Sequence, residues 1–259
     1  MVRELYTARL TRRLILSEAT ACFHLEFTIE ELEKFDFEPG QFVSFVAVDP
    51  AGKQQTRAYS LASAPRDNQF DVCVNRVEEG FFSNLLCDLE VGQSVQFHGS
   101  HGLFLLRAPL TDSILIATGT GIAPMRGFVE YLFPESGEDR SQGRKIWLVY
   151  GTRYESELYY EDYFERVAAS RPNFFYRKTL SRPQEAWEGA RGYVQELVEQ
   201  IAREHAAGQS VPAAVPGIQG AAYTIHAYIC GLNEMVSANR DCLKSLGWER
   251  KQIIFERYD

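Results

Sequence analysis

The first hundred residues carry the hydrophobic pattern of short β-strands. Phe42–Val48 is an apolar, β-branched run, and Phe70, Val72 and Val74 alternate with polar neighbours as in a half-buried strand. Several short strands separated by glycine and proline are typical of a barrel or sandwich. We therefore predict an N-terminal antiparallel β-barrel domain over residues 1–108.

The pattern changes near Pro109, where short apolar runs begin to alternate with helical periodicity. Ser113–Thr118 fits a strand buried on both faces, and a helical pattern follows over Ile122–Phe133. Later strands are predicted at Lys145–Tyr150, Phe174–Leu180, Tyr223–Cys230 and Gln252–Glu256, and later helices at Tyr159–Ser170, Tyr193–His205 and Glu234–Leu246. This alternation predicts a doubly wound parallel-sheet α/β domain over residues 109–259.

Two shorter segments complete the predicted organisation. Phe81–Cys87 fits one short helix within the β-rich half. Ala206–Ala222 is rich in alanine, glycine, proline and serine, and we interpret it as a flexible insert without chemistry of its own.

Composition narrows the classes of function. The net charge of -8 argues against nucleic-acid binding and against an anionic membrane surface. The five cysteines lack metal-ligand and redox-motif spacing, so we expect a reducing compartment, no disulfide framework and no bound metal. The N-terminus lacks a signal peptide's apolar core, and no run has transmembrane length. We therefore expect a cytoplasmic protein.

The strongest local signal is the sequence Gly119-Thr120-Gly121-Ile122-Ala123-Pro124, directly after a predicted buried strand. Glycines permit a tight turn, and the helix that follows presents unpaired amide donors, which attract phosphate. Pro124 suits the first helical turn. The motif is not the GxGxxG fingerprint, and a glycine-rich turn without a ligand is the alternative. We favour a pyrophosphate site here.

A second signal lies in the β-rich half, at Arg57-Ala58-Tyr59-Ser60. An arginine offers bidentate phosphate contacts, a tyrosine a stacking face and a serine a hydroxyl. Taken alone, the motif is equally typical of a surface arginine beside a core tyrosine.

Together these motifs resemble those of the ferredoxin–NADP+ reductase family. Three further matches stand in the family's order: Pro39-Gly40-Gln41-Phe42, Tyr150-Gly151-Thr152-Arg153, and Cys230-Gly231 ahead of Met235. The resemblance covers nearly the whole chain and implies two cofactors, FAD on the barrel and NADP(H) on the α/β domain.

The resemblance implies roles for the residues of the barrel. Arg57 would hold the FAD pyrophosphate, Tyr59 would pack on the flavin ring, and Ser60 would place its hydroxyl near the flavin nitrogen that receives hydride. The stretch Glu79-Gly80-Phe81-Phe82-Ser83 matches a second FAD phosphate site, with Gly80, Phe82 and Ser83 at the start of a helix. The family often has glycine or a small residue where Phe81 and Phe82 stand.

On the nicotinamide side, the resemblance places Thr120 and Gly121 at the NADP pyrophosphate and the Cys230 thiol beside the nicotinamide. The alternative for Cys230 is a small buried hydrophobe. Arginines and a serine at predicted strand ends suit a ribose 2′-phosphate, whereas a bare hydroxyl usually meets a carboxylate. These residues are Arg153, Ser181, Arg182 and Arg191; Glu185 is the contrary feature.

The C-terminus, Phe255-Glu256-Arg257-Tyr258-Asp259, matches the family's terminal aromatic with a glutamate two residues earlier. Tyr258 would cover the flavin, and Glu256 would assist proton handling or partner docking. Asp259 departs from the pattern, and a tyrosine that merely ends the last strand is the alternative.

The implied function is an FAD-dependent oxidoreductase that exchanges electrons between NADPH and ferredoxin or flavodoxin, a ferredoxin/flavodoxin–NADP+ reductase. We expect a monomer that meets its carrier transiently. The alternatives are the reductase component of an oxygenase system and an FAD-binding electron-relay subunit of a larger complex.

Overall fold

The computed structural model describes residues 4–208 and 223–258. These residues form two compact units. The first, the barrel unit, runs to Leu106 and also contains Thr120–Arg140; the second, the sheet unit, contains Arg107–Gly119 and the described residues from Ser141 onward.

The barrel unit is an antiparallel six-stranded sheet with one short helix, α1. The strand order is β4-β3-β6-β1-β2-β5. A bridge between Leu61 and Val72 links the residue after β4 to β5, so the two ends of the sheet meet. The elements are β1 Tyr6–Ser17, β2 Cys22–Ile29, β3 Phe42–Val48, β4 Gln54–Ser60, β5 Gln69–Asn75, α1 Phe81–Asp88 and β6 Ser94–His101.

Phenylalanine rings fill the interior of the barrel unit. Phe27, Phe45, Phe70 and Phe97 are fully buried. The ring of Phe70 lies 5.4 Å from that of Phe27 and 5.0 Å from that of Phe97. Because each such ring buries a large apolar area, this cluster holds four of the six strands together.

The sheet unit contains six parallel strands in the order β10-β9-β8-β7-β11-β12. Its elements are β7 Asp112–Thr118, β8 Ile146–Thr152, α3 Glu161–Ser170, β9 Phe174–Leu180, β10 Ala190–Arg191, α4 Val194–Gly208, β11 Ile225–Leu232, α5 Asn233–Ser245 and β12 Ile253–Tyr258. Helix α2, Ile122–Leu132, follows β7 in the chain but belongs to the barrel unit.

Helices cover both faces of the parallel sheet. Helices α4 and α5 pack on one face together with Trp147, whose ring stacks on Phe175 at 5.6 Å. Tyr176, the next residue of β9, points to the opposite face and meets Phe164 of α3 at 5.4 Å. The predicted fold class, an antiparallel barrel followed by a doubly wound α/β domain, is confirmed.

Some predicted boundaries shift. Helix α3 begins at Glu161 rather than Tyr159, because Tyr160 adopts a left-handed conformation with φ 60°. Strand β12 continues through Tyr258. The first residues of the predicted insert, up to Gly208, complete α4, and the rest of the insert lies outside the described residues, as does Asp259.

The predicted domain boundary between residues 108 and 109 stays a prediction. Among the described helices, none combines the length and apolarity that crossing a membrane would need.

Candidate functional site

The Arg57-to-Ser60 motif occupies strand β4. Arg57 and Ala58 are exposed, Tyr59 is half-buried, and Ser60 is only 7% exposed. Tyr59 meets Phe45 edge-on at 5.6 Å, and burial raises the pKa of its phenol to about 12. Tyr59 therefore stays neutral and offers a rigid aromatic face beside an exposed guanidinium, an arrangement that suits a planar ring linked to phosphate.

Ser83 helps to hold the turn before α1, together with Asn84, whose Nδ2 donates to the Val77 carbonyl at 3.3 Å. The Ser83 hydroxyl accepts from the Val77 amide at 3.1 Å and donates to the Gly80 carbonyl at 3.2 Å. A Cβ on Gly80 would lie 2.5 Å from that hydroxyl, so a larger residue there would displace the hydroxyl from its two hydrogen bonds. Sequence reasoning expected Ser83 to reach phosphate, whereas here its hydroxyl braces the turn. Its role as a direct ligand stays a prediction.

Helix α1 begins with a glycine. Its N-cap is Gly80, which has no side chain that could cap the first amides. The departure at Phe81 and Phe82 has a packing cause: Phe82 is buried, and the two rings meet at 5.0 Å. The side chains thus serve the core while the backbone presents donors at a helix N-terminus, which fits the second FAD phosphate.

The glycine-rich turn has the backbone predicted for it. Gly119–Gly121 forms one 3-10 turn, Gly119 has φ +53°, and α2 begins at Ile122 with no side-chain cap at Gly121. The Gly119 carbonyl accepts a hydrogen bond from the buried Tyr150 hydroxyl at 3.0 Å. This hydrogen bond from strand β8 therefore fixes the position of Gly119, directly before Thr120 and Gly121, the predicted pyrophosphate residues.

Thr118, at the end of β7, is a candidate that sequence reasoning missed. Its hydroxyl is buried and has no hydrogen-bond partner within residues 4–208 and 223–258. A Cβ on Gly231 would lie 2.6 Å from that oxygen, so the glycine leaves it room. Because an unpaired buried hydroxyl is costly, the arrangement fits a polar group of a bound nucleotide. Its position before Gly119 was the available signal.

The candidates for the 2′-phosphate lie at neighbouring strand ends. Arg153 follows β8, and Ser181 and Arg182 follow β9; the Arg182 amide donates to the Arg153 carbonyl at 2.9 Å. Both arginines are exposed, and their guanidinium groups have no hydrogen-bond or ion-pair partner in the part of the chain that the structure describes. Neighbours of the two arginines in the chain, Tyr154, Glu155, Ser156 and Gln184, line a cavity of about 410 Å³.

Arg191 is used differently. Its Nη2 donates to the carbonyl oxygens of Gln184, Glu185 and Trp187 at 3.3, 3.2 and 2.7 Å. Its guanidinium therefore ties down the loop that precedes β10. Of the three arginines named from the sequence, the structure brings Arg153 and Arg182 together and gives Arg191 this second task.

The three C-terminal candidates converge at the ends of β11 and β12. Cys230 and Glu256 are direct cross-strand partners, and Tyr258 hydrogen-bonds to Cys230. Burial, followed by the nearby Glu256 carboxylate, raises the pKa of the Cys230 thiol well above its ordinary value, although the Tyr258 hydrogen bond opposes this. Cys230 is thus a neutral thiol rather than a thiolate at neutral pH, and its role beside the nicotinamide stays a prediction.

Two family models match the chain. An oxidoreductase FAD-binding domain matches residues 7–105, and an oxidoreductase NAD-binding domain matches residues 115–241. A curated ferredoxin–NADP reductase B from Sorangium cellulosum (strain So ce56) is 36% identical over 253 residues, covering 95% of this chain and 96% of that protein. The chain belongs to the ferredoxin–NADP reductase family. It is an FAD- and NAD(P)-dependent oxidoreductase of the ferredoxin–NADP reductase type.

Other relatives extend the comparison. The toluate 1,2-dioxygenase electron transfer component of Pseudomonas putida is 28% identical over 98% of this chain and 67% of that protein. Two solved structures share the fold: a ferredoxin–NADP+ reductase of Plasmodium falciparum with 2′P-AMP, with a TM-score of 0.78 at 20% identity, and one of Neisseria gonorrhoeae with FAD and NADP, with a TM-score of 0.73 at 22% identity. The alignments cover 99% and 98% of this chain and 98% of each of those chains.

Proposed function

We propose that this reductase moves electrons between NADPH and ferredoxin or flavodoxin. The observation that carries the choice of NADPH is the pair Arg153 and Arg182, two exposed arginines at the ends of adjoining strands. A guanidinium fork suits a phosphate dianion, whereas a bare ribose hydroxyl would call for a carboxylate.

The residues of the barrel unit would hold FAD. Arg57 would pair with its pyrophosphate, the first amides of α1 would bind phosphate, and Tyr59 would lie against the ring. FAD, when bound, supplies the step between two-electron and one-electron chemistry. Ser60, nearly buried at the end of β4, would offer a hydroxyl close to the reacting atoms.

The residues of the sheet unit would orient the nicotinamide nucleotide. The Thr118 hydroxyl, which has no partner in the described part of the chain, would form one hydrogen bond with the nucleotide. The neutral Cys230 thiol would fill space beside the nicotinamide without adding charge. Tyr258 would occupy the place of the nicotinamide until the nucleotide binds, and Glu256 would hold a proton or dock the partner.

The match to a ferredoxin–NADP reductase over nearly the whole chain supports ferredoxin as the electron partner. Service to an oxygenase is the second candidate, and the match to the toluate dioxygenase component supports it at lower identity. The monomeric state, the cytoplasmic location and flavodoxin as a carrier stay predictions.

The experiment is steady-state reduction of ferricyanide by NADPH and NADH, followed by cytochrome c reduction with and without added ferredoxin or flavodoxin. We expect a yellow protein, faster turnover with NADPH, and carrier-dependent cytochrome c reduction. A folded protein that stays colourless when FAD is supplied would refute the flavin assignment. Equal use of NADH would refute the 2′-phosphate assignment, and carrier-independent rates would refute the assigned partner.

A further inference from the structure

Helix α2 is bound to the barrel unit by two side chains on one face. Arg126 donates to the Ala62 carbonyl and, at 3.2 Å, to the Asp71 carboxylate. One turn later, the Glu130 carboxylate accepts from the Ala64 amide at 3.0 Å. The segment between β4 and β5 is therefore held by α2 at two points.

Between those side chains, the helix backbone approaches the same segment closely. A Cβ on Gly127 would lie 3.0 Å from the Ser63 carbonyl and 3.3 Å from the Leu61 carbonyl. This is tighter than ordinary van der Waals contact, so glycine sets how closely α2 and the segment can meet.

Phe128 extends the contact to a second motif. Its ring is fully buried and lies 5.5 Å from that of Phe104. Gly40, with φ +93°, passes so close that a Cβ there would lie 2.8 Å from the Phe128 ring.

The two ends of this contact are adjacent in the chain to the two candidate sites. Leu61 follows Ser60 directly, and α2 begins directly after Gly119–Gly121. Arg126 is thus one turn into the helix whose N-terminus would receive the nucleotide pyrophosphate, and it hydrogen-bonds the second residue after the flavin motif. Such an arrangement fixes the spacing between the flavin motif and the segment from Thr120 into α2, which both lie in the barrel unit.

We propose that Arg126 is a positioning residue for hydride transfer, holding the pyrophosphate-binding end of α2 at a set distance from the flavin motif. The inference rests on the proposed function, because it assumes nicotinamide nucleotide at the glycine-rich turn. Small errors of position are costly in such a reaction, since a displacement of about 1 Å can lower a rate by about 100-fold.

If Arg126 is replaced, its acidic partner Asp71 keeps other charged or polar contacts. The buried Asp71 carboxylate also contacts Arg66 at 2.5 Å and His24 at 3.6 Å. The carboxylate is therefore not stranded as an unpaired buried charge, which would be the strongly destabilising case. We expect Arg126→Met to fold and to retain FAD.

The test compares Arg126→Met and Arg126→Lys with a matched control, Arg140→Met, as FAD-loaded proteins. Arg140 donates to the Tyr131 carbonyl at 3.0 Å, so the control also removes one arginine–carbonyl bond of this helix region. Stopped-flow flavin bleaching at saturating NADPH reports hydride transfer. Titration with 2′,5′-ADP reports the adenosine end, which the variants leave intact.

We expect Arg126→Met to slow flavin bleaching by about 10-fold or more, with unchanged 2′,5′-ADP affinity and flavin content. Arg126→Lys should recover part of the rate, and Arg140→Met should match the wild type. A bleaching rate equal to the wild type in Arg126→Met, with only a lower melting temperature, would overturn the proposal.

Gly127→Ala gives the same test by another route, should Arg126→Met fail to fold. The added methyl group pushes α2 away from the 61–63 segment and should slow bleaching while leaving 2′,5′-ADP affinity unchanged. An unaltered rate would overturn the proposal. A wild-type protein that binds neither 2′,5′-ADP nor NADP+ would instead refute the proposed function itself.

Discussion

The candidate residues of the barrel unit and those of the sheet unit differ in how many contacts their side chains make within the protein. In the barrel unit the Ser83 hydroxyl forms both of its hydrogen bonds within its own turn, and Tyr59 packs against Phe45 of the core. In the sheet unit the Thr118 hydroxyl has no hydrogen-bond partner among the described residues, and Arg153 and Arg182 are exposed. Because side chains that the fold already holds in place lose less freedom when a ligand binds, Ser83 and Tyr59 favour tighter binding than the exposed arginines do.

The largest effect should come from removing the one exposed cation of the flavin motif. Arg57→Ala should weaken FAD binding by about 100-fold or more, since a bidentate charged contact is worth two strong hydrogen bonds. The flavin-to-protein absorbance ratio after purification, and titration of the stripped protein with FAD, would measure it. Thr56→Ala, an exposed neighbour on the same strand, is the control. A fully yellow Arg57→Ala protein would contradict the assignment.

Next in size is the loss of the two strand-end arginines. The double variant Arg153→Gln with Arg182→Gln should raise KM for NADPH by about 100-fold and leave KM for NADH unchanged. Arg191→Gln is the matched control, and because its guanidinium braces a loop it should lower the melting temperature more than it changes cofactor preference. If Arg191→Gln lost as much preference for NADPH over NADH as the double variant, the separate roles assigned to Arg191 and to the Arg153–Arg182 pair would be wrong.

A smaller effect is expected at the end of β4. Ser60→Ala should slow hydride transfer by about 10-fold, the worth of one hydrogen bond lost at the transition state. Flavin content should not change. Ser44→Ala, a buried serine on the adjoining strand, is the control. If both variants bleach at the wild-type rate, Ser60 does not touch the reacting atoms.

The smallest effect concerns the neutral thiol. Because the folded-state pKa of Cys230 lies well above its ordinary value of 9.0, the thiol stays protonated at neutral pH. Its contribution to stability is complete below that ordinary value and is lost only as pH rises beyond it. Urea unfolding of wild type and Cys230→Ser should therefore differ by a constant amount between about pH 6 and 8. A stability difference that changes across this range would mean that Cys230 ionises there.

Local pattern predicted the elements well where apolar runs are strong. Phe42–Val48 has the bounds predicted from its apolar, β-branched run, and Phe174–Leu180 also has its predicted bounds although Arg177 and Lys178 interrupt its apolar residues. Strand-end positions also placed Arg153 and Arg182 near one another, since parallel strands end at one edge.

Side-chain orientation and long-range pairing were beyond that reasoning. Nothing local shows that Arg126 would reach Asp71, 55 residues earlier, or that Ser83 would turn inward to its own loop. The three carbonyls that Arg191 binds belong to a loop whose shape only the fold determines. Such partners depend on tertiary contacts rather than on periodicity.

The assignment of α2 to the barrel unit bears on how this fold can be recombined. A chimera joined between the two chain halves would import a foreign α2 and place an unselected side chain opposite the Ala62 carbonyl. We expect such hybrids to lose solubility or turnover unless residues 120–140 come from the same parent as the barrel. The workable crossover points therefore lie on both sides of that helix.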